Sequence, residues 1–190
     1  MTKNIVVMMS AKNSDNFALV LGMARGVHSE CREVDSQGVV RYYKYRGGPL
    51  GRETGPSVIY PDGRKEWYQD GVRHRLDGPA VESAEVLIWI LYGEVHREGL
   101  PAIEAASGHK EWIVHGKRHR LDGPAVIYAN GSLGWWQNGL RHRESGPAVE
   151  RNDGARMWYQ EGNLHRQDGP AVEKPLEEDE FWLEGVMQKH

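Results

Sequence analysis

A Pro spaced at 23, 22, 23, 23 and 23 residues constrains this chain more than any other feature. Pro56, Pro79, Pro101, Pro124, Pro147 and Pro170 set that rhythm, and a fixed period of 20–50 residues marks a repeat architecture. Twelve residues before five of those prolines stands a tryptophan: Trp67, Trp89, Trp112, Trp135 and Trp158. In the first copy Lys44 takes the tryptophan's place, and Phe181 opens a truncated seventh. Glycine follows four residues after each of these positions, and next comes a pair: His74-Arg75, His96-Arg97, His119-Arg120, His142-Arg143 and His165-Arg166. The first copy carries Gly51-Arg52 there. The full continuation Asp-Gly-Pro-Ala-Val occurs at Asp77 to Val81, Asp122 to Val126 and Asp168 to Val172.

Each repeat has two turn signals. One is Asp62-Gly63, Asn130-Gly131 or Asp153-Gly154; the other is Asp70-Gly71, Asn138-Gly139 or Glu161-Gly162. Such dipeptides supply the positive φ angles that two-residue hairpins need, so both signals are expected to close two-residue β-hairpins. Short strands then lie near Ala125 to Tyr128 and Ser132 to Gln137. The expected fold is all-β: tandem antiparallel hairpins of about 23 residues forming an elongated single-layer sheet or solenoid, with a short N-terminal α/β cap. Residues 1–40 form the cap segment and 41–190 the repeat domain. Within the cap, Ile5 to Met9 suits a strand, and Ser14 or Asp15 is placed to cap a helix from Asn16 to Arg25 that ends at Gly26.

Alternation along the strands predicts that the tryptophans share a packed face with Val58, Val81, Ile103, Val126, Val149 and Val172. The residues following the tryptophans, Tyr68, Ile90, Ile113, Trp136, Tyr159 and Trp182, then form a second stripe on the opposite face. Covering such a stripe requires the N-terminal segment, a partner or a ligand.

The segment Pro61-Asp62-Gly63-Arg64-Lys65-Glu66-Trp67-Tyr68-Gln69-Asp70-Gly71-Val72-Arg73-His74, and likewise Gly139-Leu140-Arg141-His142, resembles the MORN repeat, a β-hairpin unit of similar length. The resemblance extends over Tyr42 to His190. It departs from the family pattern in one regular way, a His-Arg-x-Asp-Gly-Pro-Ala insert in place of the glycine-ended turn. Runs of this variant look like those in proteins of phages, giant viruses and bacteria, some of them labelled antitoxins. What the resemblance implies is an antiparallel sheet used for protein association, with no catalytic residue to carry over.

The chemistry on offer is narrow. The chain has 24 basic and 27 acidic residues, a formal net charge of −3, which provides no global field for a nucleic-acid backbone. One cysteine, Cys31, excludes an internal disulfide framework. No phosphate-binding glycine loop and no Gly-x-Ser-x-Gly elbow is present. The run Glu177-Glu178-Asp179-Glu180 reads as a solvated charge cluster. A column of histidines one repeat apart steps by about 10 Å, too far for neighbours to share a metal ion. No metal and no cofactor is therefore expected, and the chain is read as a non-enzymatic binding protein. In the structural reading of His-Arg-x-Asp, Asp caps the Gly-Pro turn and Arg pairs with an Asp of its own or the next repeat. In the functional reading, Arg75, Arg97, Arg120, Arg143 and Arg166 form a row that grips carboxylates of a partner protein or an anionic ligand such as a nucleotide. Tyr68, Trp136, Tyr159 and Trp182 are the candidate anchors for a protein partner.

Three roles follow: an inhibitor or antitoxin-like, anti-defence partner of another protein; a nucleotide or small-ligand sponge; and a module that self-assembles through a sheet edge into a homo-oligomer. The apolar run at the N-terminus is short and broken, so neither a signal peptide nor a membrane span is expected, and the location is read as cytoplasmic.

Overall fold

The computed structural model describes residues 17–19, 29–175 and 177–188. Among them there are only β-strands, turns and bends, and no helix. Two compact units are present: residues 1–84 with 89–93, and residues 85–88 with 94–190. In the first, antiparallel neighbours run in chain order through Phe17–Leu19, Cys31–Val34, Val40–Tyr43, Val58–Ile59, Lys65–Glu66 and Val81–Glu82. In the second they run through Val86–Ile88, Ile103–Ala105, Lys110–Glu111, Val126–Ile127, Leu133–Gly134, Val149–Glu150, Arg156–Met157 and Val172–Glu173. Neither run closes into a barrel. These are the tandem hairpins that the spacing predicts.

Two kinds of hairpin recur along the chain. The sheet hairpin turns at Asp62-Gly63 and its equivalents. Gly63 N–H donates to Tyr60 O at 3.0 Å, and Tyr60 N–H to Arg64 O at 2.9 Å. Only the glycine has positive φ there, 87° at Gly63, so this is a three-residue loop of a type I turn plus a bulge. The expectation of a two-residue loop fails at these positions. The Asp62 carboxylate accepts the N–H of Arg64 at 2.9 Å, which holds its own φ in the ordinary range.

The second, lateral hairpin is formed by Tyr68–Gln69 with Val72–Arg73, Ile113–Val114 with Lys117–Arg118, Trp136–Gln137 with Leu140–Arg141, and Tyr159–Gln160 with Asn163–Leu164. Trp182–Leu183 with Val186–Met187 adds another. Both central residues have positive φ, 53° at Asp70 and 81° at Gly71, the two-residue turn the sequence predicts. The same left-handed site is occupied by Tyr92, His115, Asn138, Glu161 and Glu184. For side chains other than Asn and Asp that conformation costs roughly 1 kcal/mol, so something must hold it.

Register decides what is buried. Val58 stands opposite Glu66, and Glu66 opposite Val81; in the second unit Ile103, Glu111, Val126, Gly134, Val149, Met157 and Val172 form one such line. The next outward step along the chain, from Glu66 to Tyr68, keeps the same face. The lateral hairpin therefore folds back over the valine line: Tyr68 Oη–H donates to Glu66 Oε2 at 2.7 Å, and Trp182 Nε1–H to Glu180 Oε2 at 2.9 Å. The predicted assignment of faces is thus overturned, since the second aromatic stripe shares the valine face and the tryptophans take the other. Ala80, Ala102, Ala125, Ala148 and Ala171 are completely buried at the corner, where Ala80 O accepts the N–H of Trp67 at 2.8 Å.

In several repeats the core position and the lateral-hairpin residue seven further along match. Buried Glu66 meets Arg73 and buried Glu111 meets Arg118 at 2.7 Å. The core residue Met157 likewise has apolar Leu164 as its counterpart, whereas Gly134 stands with Arg141 and Glu180 with Met187.

The expected N-terminal helix is corrected in part: Phe17–Leu19, inside its span, is a strand paired with Cys31–Val34. The rest of that span and the strand expected at Ile5 to Met9 lie outside the described residues. Residues 31–43 are a sheet hairpin whose turn at Asp35 to Gly38 repeats the bulged form, so sheet structure straddles the expected boundary at residue 40.

Candidate functional site

The joint between successive repeats is where the polar residues gather. Arg75 lays its guanidinium over the Trp67 ring at 4.0 Å, and the same stack recurs for Arg120 on Trp112, Arg143 on Trp135 and Arg166 on Trp158. The fork also makes hydrogen bonds within its own repeat. Arg75 donates to Asp77 at 3.0 Å, to Pro79 O at 3.1 Å and to Glu82 at 2.6 Å. Arg97 donates to Pro101 O and Glu104, Arg120 to Asp122 and Pro124 O, Arg143 to Pro147 O and Glu150, and Arg166 to Asp168, Pro170 O and Glu173. Their side chains are only 21–28 % exposed. The hydrogen bond from Arg75 holds the Asp77 carboxyl below its ordinary pKa, and Arg120 does the same for Asp122. These arginines thus lock the Gly-Pro turn of their own repeat.

The histidines reach the next repeat. Nδ1 of His74 accepts the backbone N–H of Tyr92 at 3.1 Å, and His96, His119, His142 and His165 accept those of His115, Asn138, Glu161 and Glu184 at 3.1–3.2 Å. Each acceptor serves a left-handed turn residue, so the histidine column supports the strained turns. A second bond closes the joint: the N–H groups of Arg75, Arg97, Arg120, Arg143 and Arg166 donate to Ile90, Ile113, Trp136, Tyr159 and Trp182.

The candidate aromatic anchors are half-buried, one to a repeat, and are not brought together. Tyr68 is bonded to Glu66 and Arg73, and burial together with the Glu66 carboxylate pushes its phenol pKa up. Trp136 packs beside Gly134, with Arg118 and Arg141 at 5.1 and 5.3 Å from its ring. Tyr159 Oη accepts from Arg141, and Trp182 is held by Glu180.

One joint departs from the pattern. Tyr42, not Lys44, fills the tryptophan place of the first repeat: its N–H donates to Ser57 O at 2.7 Å, and Arg52 stacks on its ring at 3.8 Å. The lateral hairpin there is two residues longer, with Tyr43 opposite Leu50. Gly51 replaces the histidine, and the Tyr68 carbonyl takes the Ser57 hydroxyl at 3.3 Å rather than the Arg52 N–H. A cleft of about 1110 Å³ opens, lined by Lys44, Tyr45, Gly51, Arg52 and Glu53 on one side and Trp67, Tyr68, His74, Arg75 and Leu76 on the other. Of the candidate residues, Tyr68 and Arg75 meet in this cleft. Leu76, at its lip, is 79 % exposed. Sequence reasoning passed over Tyr45, Gly51 and Leu76. The break in the His-Arg column at Gly51 was the available signal.

Among the described residues no three His, Cys, Asp or Glu side chains converge as metal ligands, and no helix is long and apolar enough to cross a membrane. No family model matches the chain, and no curated protein matches it.

Proposed function

We propose that this chain works by binding another protein, without catalysis, and that the opened joint between its first and second repeats is the contact site. The observation that carries this reading is the contrast between joints. The later joints spend their arginines and histidines on internal bonds, whereas the first leaves a cleft with aromatic walls and an exposed leucine at its lip. Clustered aromatic and Arg side chains are where interface energy concentrates. Cleft charges are balanced, with Lys44, Arg52 and Arg75 against Glu30, Glu53 and Asp77, which favours a protein surface over a polyanion. A nucleotide held by the arginine row is less well supported, because those guanidiniums already have carboxylate partners. The likeness to MORN repeats agrees with protein association, and an inhibitor or antitoxin-like role is one form that association takes.

The test is affinity capture with the natural chain and with a Leu76→Glu/Tyr45→Lys variant, both exposed positions in the cleft lining, followed by mass spectrometry. One dominant protein retained by the natural chain and lost by the variant supports the reading. Identical recoveries from both, or nothing above background, overturns it.

A further inference from the structure

The later repeats show what the first joint lacks. In five of them an imidazole Nδ1 accepts the N–H of a left-handed turn residue. Asp70 has the same backbone conformation as those residues, with φ of 53°, but faces Gly51. A Cβ built on Gly51 would stand 3.7 Å from the Asp70 nitrogen, where a histidine side chain would begin. We infer that this place receives an imidazole from outside: a histidine side chain presented by the protein partner, its ring nitrogen accepting the Asp70 N–H as the chain's own histidines do elsewhere.

Three features favour that ligand. A neutral acceptor suits the place, because the Asp70 carboxylate is adjacent and the cleft as a whole already balances Glu30, Glu53 and Asp77 with Lys44, Arg52 and Arg75. The walls already include aromatic rings, Tyr45, Trp67, Tyr68 and His74, suited to a planar ring. The nearest side chain at that position is flexible. Lys44 lays its aliphatic stem over Gly51, 3.2 Å from the Cβ position, and pairs its ammonium with Asp70. That side chain is 45 % exposed, and so exposed an ion pair contributes little, roughly 0–1 kcal/mol. An entering ring displaces Lys44 to solvent at small cost.

The inference rests on the protein-binding reading but is tested without any partner. Free imidazole is titrated into the ¹⁵N-labelled chain at about pH 8, where the ring is largely neutral, up to about 100 mM, the range suited to so small a fragment. The Asp70 amide resonance should move downfield and saturate. Lys44→Ala should tighten the response by about two- to five-fold, the worth of an exposed ion pair. Gly51→His should abolish it, since the attached ring fills the place. His119→Gly, or His142→Gly if the first variant fails to fold, opens the same vacancy at a complete joint, and imidazole should restore the amide shift of Asn138 or Glu161. An Asp70 amide that does not respond saturably, or responds equally in Gly51→His, overturns the proposal, and so does a vacancy variant that ignores imidazole. A responsive Asp70 with no captured protein removes the proposed function and leaves the site. Capture with a silent Asp70 places the partner on another surface.

Discussion

The Nδ1 atom of His119 accepts the backbone N–H of Asn138 at 3.1 Å, nineteen residues further along the chain. The bond serves a residue whose backbone is left-handed. Its energy can be read directly. His119→Ala removes the acceptor from a solvent-exposed bond, and the expected loss is about 0.5–1.5 kcal/mol. For a chain of this length that lowers the melting temperature by roughly 1–6 °C, measured by calorimetry. An unchanged melting temperature would mean that water replaces the ring at no cost.

Glu161 holds φ of 48°, a conformation that Asn tolerates better because its short polar side chain bonds locally. Asn138 already occupies the equivalent place one repeat earlier. Glu161→Asn is expected to stabilise the protein by about 0.5–1 kcal/mol, seen as a rise in denaturation midpoint at constant slope. A fall in the midpoint would show that the glutamate makes a contact worth more than the strain.

The fork of Arg120 bonds Asp122 and the Pro124 carbonyl while its face covers Trp112. Lysine carries the charge but not the plane, so Arg120→Lys cannot reproduce both bonds and the stack. The expected cost is about 1–3 kcal/mol, with a change in tryptophan emission as the ring gains water. Equal stability and an identical spectrum would remove the arginine from the turn-locking role given to it here.

Glu111 supplies a pH test. Burial alone would raise its pKa, but the Arg118 guanidinium and the His109 ring outweigh burial and hold it below the ordinary value of 4.5. A carboxylate whose folded pKa is depressed contributes stability above its unfolded pKa and loses it as pH falls through the folded one. Stability should therefore decline below about pH 4.5. Glu111→Ile/Arg118→Val, copying Ile88 and Val95, removes that group and should flatten this part of the acid limb. Equal acid sensitivity in both proteins would show that other carboxylates set it. Glu111→Ala alone should cost more than the double replacement, because it leaves Arg118 without its partner.

The repeat was legible because turns are chemically specific: Asn-Gly at 138–139 and the Gly-Pro pairs announce themselves without any knowledge of packing. Lateral turns closed as the residues predict. The sheet turns did not, because Asp62 and Asp153 can satisfy the loop with their own carboxylates and keep negative φ. The buried face was misassigned because alternation gives two faces but not the register that chooses between them. Val58 and Glu66 stand opposite only because of the extra residue in the bulged turn. Counting residues placed Lys44 in the tryptophan column, whereas the main-chain bond from Tyr42 to Ser57 shows that the hairpin tip absorbed two residues. The candidate site was hidden for a different reason. A sequence scan rewards what recurs, and the cleft exists where recurrence stops, at Gly51.

From Tyr92 onward, the left-handed turn is secured by a histidine of the repeat before it, never the one after. That gives the array a direction. A chain emerging amino end first from the ribosome would always bring its newest turn to a ring already in place, so completion advances one way, as a zip fastener does. Damage to an early tooth then matters more during synthesis than the same damage near the carboxyl end.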